Sequence, residues 1–215
     1  MEGKLRKKLA DVAHKLYNDG LTYGTSGNIS ARIPHSNKCL IKPSGFSFGD
    51  VNHEDFLLVD INTGDAVWGE HSPSIETPFH IRLYQQRGVA GGIVHIHSKY
   101  CVILSIIAKK FVPMGMEIYN APSLAKGVEI IKFAAPGSEM LADKVCMAMK
   151  EKYACLLPHH GSVTIGKNIE EAEMVARTLE TLARLQYHVM LFGEPKPLPD
   201  KILEQLEGMV DENTA

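Results

Sequence analysis

Residues 91–97 read Gly91-Gly92-Ile93-Val94-His95-Ile96-His97. Ile93, Val94 and Ile96 mark a strand, and a strand sends alternate side chains to the same face. His95 and His97 then share a face with their backbones only ~7 Å apart. At that spacing both imidazoles reach one divalent ion at about 2.0–2.1 Å. The same pattern also describes two ordinary histidines of a strand, so the elements around it must decide.

Upstream, Thr77–Gln86 reads as a helix with Pro78 tolerated in its first turn. Downstream, 102–108 is apolar but for Ser105 and fits either a buried helix or a strand. Further out, 39–41, 56–61, 153–157 and 161–166 are short strands, with a turn at Asn62-Thr63-Gly64-Asp65. Leu5, Leu9, Val12 and Leu16 give a first helix that stops at Gly20. Ser138 caps a helix that buries Leu141, Val145 and Met149. A long helix starts at Asn168, with Glu171 three residues on, and ends before Gly193 and Pro195. The tail beyond Pro195 has room for one short helix. Interleaved strands and helices predict an α/β protein, with a central, largely antiparallel sheet covered by helices on both faces. No linker divides the chain, so residues 1–215 are expected to form one domain.

Composition narrows the function. The 215 residues are 45% hydrophobic and 22% charged, with a net charge of −2. That balance argues against disorder and against a basic nucleic-acid-binding face. The most apolar stretch, 101–108, is too short to cross a bilayer, and the charged N-terminus lacks a signal-peptide core. Cys39, Cys101, Cys146 and Cys155 form no CxxC pair. Reduced thiols in a cytoplasmic protein are the expectation.

Three further groups carry chemistry. Leu157-Pro158-His159-His160-Gly161 follows an apolar strand, and a histidine there, backed by glycine, enters a cleft unobstructed. One of the adjacent pair is a candidate for a third metal ligand, with the other pointing away. Glu76, in Ser72-Pro73-Ser74-Ile75-Glu76-Thr77-Pro78, is either a favourable charge at a helix start or a ligand and base. Three histidines and a carboxylate suit zinc, with manganese or cobalt as alternatives. The loops Gly24-Thr25-Ser26-Gly27-Asn28 and Pro43-Ser44-Gly45, with Ser74, offer hydroxyls and free N–H groups for an anion without a Lys or Arg. The remaining histidines, 14, 35, 53, 71, 80 and 188, carry no motif and are expected to be structural or solvated.

Taken together, the segments TSGNISAR, IKPSGF, SPSIETPFH, GGIVHIHSKY and PHHGSVTIGKNIEEA, and a long helix ending in FGEP, resemble the class II aldolase/adducin family. The resemblance implies a three-layer α/β/α fold around a mostly antiparallel sheet, in a fourfold homotetramer with active sites at subunit boundaries. It implies a zinc ion on His95, His97, His160 and Glu76, with Glu76 also the acid/base. Substrate phosphate would fall near Asn28, Ser44, Gly45 and Ser74. The implied reaction is cleavage of a ketose 1-phosphate, of fuculose or a deoxy-pentulose, to dihydroxyacetone phosphate and an aldehyde. Two departures stand out. Ile75 replaces a phosphate-binding serine, and Glu117 falls where the aldolases place a tyrosine that works across the interface, with Tyr119 two residues on. Gly115-Met116-Glu117-Ile118 resembles instead the G-x-E-I motif of the family's methylthioribulose-1-phosphate dehydratases, so Glu117 is expected to be a second acid/base. A 4-epimerase and a non-catalytic adducin-like module are the weaker alternatives.

Overall fold

A computed structural model describes residues 2–212. Its centre is an eight-stranded sheet in the order β4-β3-β2-β1-β5-β8-β7-β6. The strands are β1 (Asn28–Arg32), β2 (Lys38–Ile41), β3 (Leu57–Asp60), β4 (Ala66–Trp68), β5 (Gly92–Ile96), β6 (Glu129–Ile130), β7 (Ala154–Leu157) and β8 (Gly161–Gly166). All neighbours pair antiparallel except β6 with β7. The histidine strand β5 lies in the middle, between β1 and β8, where backbone positions are held from both sides.

The pleat of β5 decides which layer each residue serves. Ile93 joins a core with Phe79, Leu83 and Tyr84 of α2 (Thr77–Gln86), and with Leu141 and Val145 of α4 (Glu139–Ala148). Val94 and Ile96 face the other way, into a core with α1 (Glu2–Asn18) and α5 (Ile169–Met190). The sheet is thus sandwiched between helices, as the alternation predicts. A third cluster packs β7 and α5 against α3 (Lys99–Ile107) and the tail helix α6 (Asp200–Glu212).

The expected caps form. Ser138 Oγ accepts from Leu141 N at 3.1 Å, and Asn168 Oδ1 from Glu171 N at 2.8 Å. The ambiguous stretch 102–108 resolves as the helix α3. The carboxylate of Glu180, on α5, takes the N–H groups of Tyr100 and Cys101, both at 2.9 Å, and so satisfies its first turn. Residues 28–32, which follow the glycine-rich loop, are a full strand because they pair on both sides. The tail helix is longer than the short one expected, because Leu206 is fully buried and Ile202 and Leu203 pack beside it. Among the described residues, no helix is long and apolar enough to cross a membrane.

Candidate functional site

β5 delivers His95 on the α2 side of the sheet and ends at Ile96, so that His97 leaves the strand on the same side. His160 arrives from the turn between β7 and β8. In that turn His159 takes a left-handed conformation, φ 62°, which sends its own side chain out to solvent and His160 inward. Gly161 permits the approach, since a Cβ there would stand 2.2 Å from the Ile96 carbonyl oxygen. The ligand atoms of His95, His97 and His160 all lie within 4.8 Å of one another, and the three ring centroids are 4.6 to 4.9 Å apart.

Glu76 occupies the N-cap position of α2, yet makes no capping bond. Its carboxylate turns instead to the histidines, with Oε2 3.1 Å from His95 Nε2 and Oε1 3.4 Å from His160 Nε2. Only 5% of Glu76 is exposed, and Oε1 has no hydrogen-bond partner. A carboxylate does not stay in such a place for the sake of a helix dipole. Burial works to raise its pKa, but the charges of His95 and His160 and the bonds from His95 and Asn28 outweigh it. The group is held well below the usual carboxylate range.

The imidazoles divide accordingly. Burial opposes charge on His95, but Glu76 beside it raises the pKa above the ordinary value. Burial and the charges of His95 and His160 push His97 down to about 3. Burial and His95 push His160 down to about 4. His95 Nδ1 donates to the Ser162 carbonyl at 2.9 Å, which fixes the ring and turns Nε2 to the cluster. Converging nitrogens, a fixed tautomer and a buried carboxylate with a lone oxygen make a donor set suited to a divalent cation.

The anion loops meet at the same place. Ser44 N donates to Ser72 O at 2.9 Å, and Pro43 bridges Pro73, so the two loops are joined by backbone. Asn28 Nδ2 donates to Ser74 Oγ at 3.1 Å and to Glu76 Oε2 at 2.9 Å. Ser44 and Gly45 are exposed at the turn, with Gly45 at φ 77°. Two features escaped the sequence reading. Lys42 is buried under the turn, its Nζ donating to the carbonyls of Phe46 (2.6 Å) and Pro43 (3.2 Å), and burial lowers its pKa to about 8. His80 is buried and bonded to Asn28. Its signal was its place four residues after Glu76, a polar group on a helix face otherwise filled by Phe79 and Leu83.

Glu117 stands apart from this cluster. It lies in a 3₁₀ turn, Met116–Asn120, and is exposed. It opens on a cleft of about 440 Å³ lined by Tyr100, Thr181, Arg184, Leu185 and His188, none of them a member of the histidine site.

Known proteins resemble the chain in sequence and fold. The family described as Class II Aldolase and Adducin N-terminal domain matches residues 7–187. A 5-deoxy-D-ribulose 1-phosphate aldolase of Bacillus thuringiensis is 31% identical, covering 94% of this chain and 93% of its own. An L-fuculose phosphate aldolase of Haemophilus influenzae is 33% identical, covering 95% of this chain and 91% of its own. A solved L-fuculose 1-phosphate aldolase superposes with a TM-score of 0.87 at 29% identity, over 97% of this chain and 96% of that one. Fold, sequence and the matched span agree, and the chain belongs to the class II aldolase and adducin family.

Proposed function

We propose that the protein is a metal-dependent lyase that cleaves a ketose 1-phosphate to dihydroxyacetone phosphate and an aldehyde. The observation that carries this reading is that His95, His97 and His160 converge on Glu76, while Asn28 ties Glu76 to Ser74. Residues His95, His97, His160 and, at rest, Glu76 would hold the cation, for which zinc fits best, with manganese or cobalt as alternatives. When bound, it supplies Lewis-acid stabilisation of the negative charge that develops beside the ketone.

The chain's own groups do the rest. The substrate phosphate sits at Asn28, Ser44, Gly45 and Ser74, taking the Gly45 N–H and the hydroxyls of Ser44 and Ser74, while the Asn28 amide, bonded to Ser74 and Glu76, backs the site. The bond between C3 and C4 breaks, and its electron pair passes to C3. The hydroxyl on C4 gives up its proton and becomes the aldehyde, and Glu76, ionised at rest, takes a proton from water and delivers it to C3. Glu117 of a neighbouring copy takes the proton from the C4 hydroxyl and returns it to water. A positioned acid/base of this kind contributes ~10²–10⁴ in rate. This arrangement needs the site to sit at a subunit boundary, in a homotetramer. Four free, buried cysteines fit a reducing compartment, and we place the protein in the cytoplasm.

The relatives' names point to 5-deoxyribulose and fuculose 1-phosphates as first substrates. The zinc-loaded protein, given these and the rhamnulose, ribulose and methylthioribulose phosphates, should release dihydroxyacetone phosphate from at least one of them. Chelation should stop the release. A diketone formed with loss of water would make it a dehydratase instead, and no turnover of any member would overturn the reading.

A further inference from the structure

Behind Glu76 and Asn28 runs a line of buried polar groups, Tyr84, Ser30 and His80, that the proposed chemistry does not use. Tyr84 OH lies 2.7 Å from Ser30 Oγ, and Ser30 Oγ lies 2.7 Å from His80 Nδ1. His80 Nε2 is 2.5 Å from Asn28 Oδ1, and Asn28 Nδ2 reaches Glu76 and Ser74. Tyr84, Ser30, His80 and Asn28 are each at most 2% exposed. Buried this deeply, each must satisfy the next.

Only one placement of hydrogens does so. Glu76 is ionised and can only accept, so the Asn28 atom facing it is the amide nitrogen. Asn28 Oδ1 therefore faces His80 and requires a proton on Nε2. Burial and the charge of His95 push the His80 pKa down to about 3, so the ring is neutral and Nδ1 must accept. Ser30 donates to it, and Tyr84, whose phenol burial keeps protonated, donates to Ser30. Every hydrogen bond in the line points toward the carboxylate, the arrangement in which neighbours polarise one another.

We infer that His80 is a positioning residue for anion recognition: its Nε2–H, locked by Ser30 and Tyr84, holds the Asn28 amide with the nitrogen toward Ser74, so that Ser74 Oγ accepts from Asn28 and its own O–H is left to donate to a phosphate. This rests on the proposed placement of the substrate phosphate beside Asn28. Without the lock, only Glu76 and Ser74 hold the amide, its oxygen is left buried without a partner, and the Ser74 hydroxyl loses its fixed direction.

The test is the affinity for inorganic phosphate, read by 31P line broadening on the metal-loaded protein, with metal content measured in parallel. His80→Leu should weaken phosphate roughly tenfold or more at unchanged metal content. His80→Gln, which returns an N–H near the place of Nε2, should stay within about threefold of wild type. Tyr84→Phe removes only the far hydroxyl and should shift affinity in the same direction by less, which keeps the test open if His80→Leu does not fold. Unchanged phosphate affinity in whichever of these two folds overturns the inference, as does a His80→Gln variant no better than His80→Leu. A wild-type protein that ignores phosphate overturns the placement of phosphate at Asn28, and the role of His80 with it.

Discussion

His80 is an imidazole kept neutral where water does not reach, and this fixes how it answers acid. Its ordinary pKa near 6.5 applies in the unfolded chain, against about 3 in the fold. Below pH 6.5 the unfolded state takes up a proton that the folded state refuses, so stability falls as pH drops from 6.5 toward 3. At pH 5 this amounts to about 2 kcal/mol. Denaturant titrations at pH 7 and pH 5 should show His80→Gln losing about that much less than wild type, and parallel losses would contradict the buried, neutral assignment. At the cluster, His97→Ala should remove bound metal and activity together while the far-ultraviolet signal stays that of wild type. Retained activity would refute the site. Ile75 is 65% exposed, so Ile75→Ser costs little stability, and the added hydroxyl should tighten inorganic phosphate by about threefold to tenfold. The metal candidates were legible because HxH on a strand and HG at a strand end each place a ring by local geometry alone. His80 was not, because its partners lie 50 and 52 residues away on β1, and only folding brings the strand under the helix.

Local signals sufficed for the long helices and for the strands at 39–41, 56–61, 153–157 and 161–166, and failed for the shortest element. α1, α4 and α5 announce themselves by apolar spacing and caps, whereas β6 has two residues and exists because β7 lies beside it. The stretch 102–108 was undecidable from periodicity, since a short run broken only by Ser105 has too little polar patterning to show one. What settles it is Glu180, whose carboxylate caps the first turn of α3 from across the interface with α5. Glu180→Ala should cost about 1 kcal/mol in chemical denaturation and should loosen His97, two residues before that helix. No change in stability would mean that the cap is idle. Gly27 plays a comparable part at the entrance of β1. It has φ 78°, and a Cβ would stand 2.5 Å from the His95 carbonyl oxygen. Gly27→Ala should therefore destabilise by about 2 kcal/mol or more. Its thermal midpoint should fall together with its metal affinity.

At the level of the whole molecule, the layered sheet accounts for the metal candidates and the phosphate loops but leaves Glu117 on an outer cleft. A shared site makes a definite prediction. His97→Ala subunits keep Glu117, and Glu117→Gln subunits keep the histidines. Each variant alone should be inactive. Refolded together in equal amounts, they should regain about a quarter of wild-type activity, because a closed ring of copies pairs the intact halves at random. Mixtures that stay inactive would return Glu117 to the surface.

Two different rulers meet beneath the acid. Asn28 and Ser30 are two residues apart on a strand, a span of about 6.6 Å, and His80 and Tyr84 are four apart on a helix, a span of about 6 Å. The near match lets one element read the other rung by rung. Surface loops elsewhere in the chain can grow or shrink, but residues 76–84 must keep their count. One residue added or removed there would swing the helix by about 100° and leave the ring facing hydrocarbon.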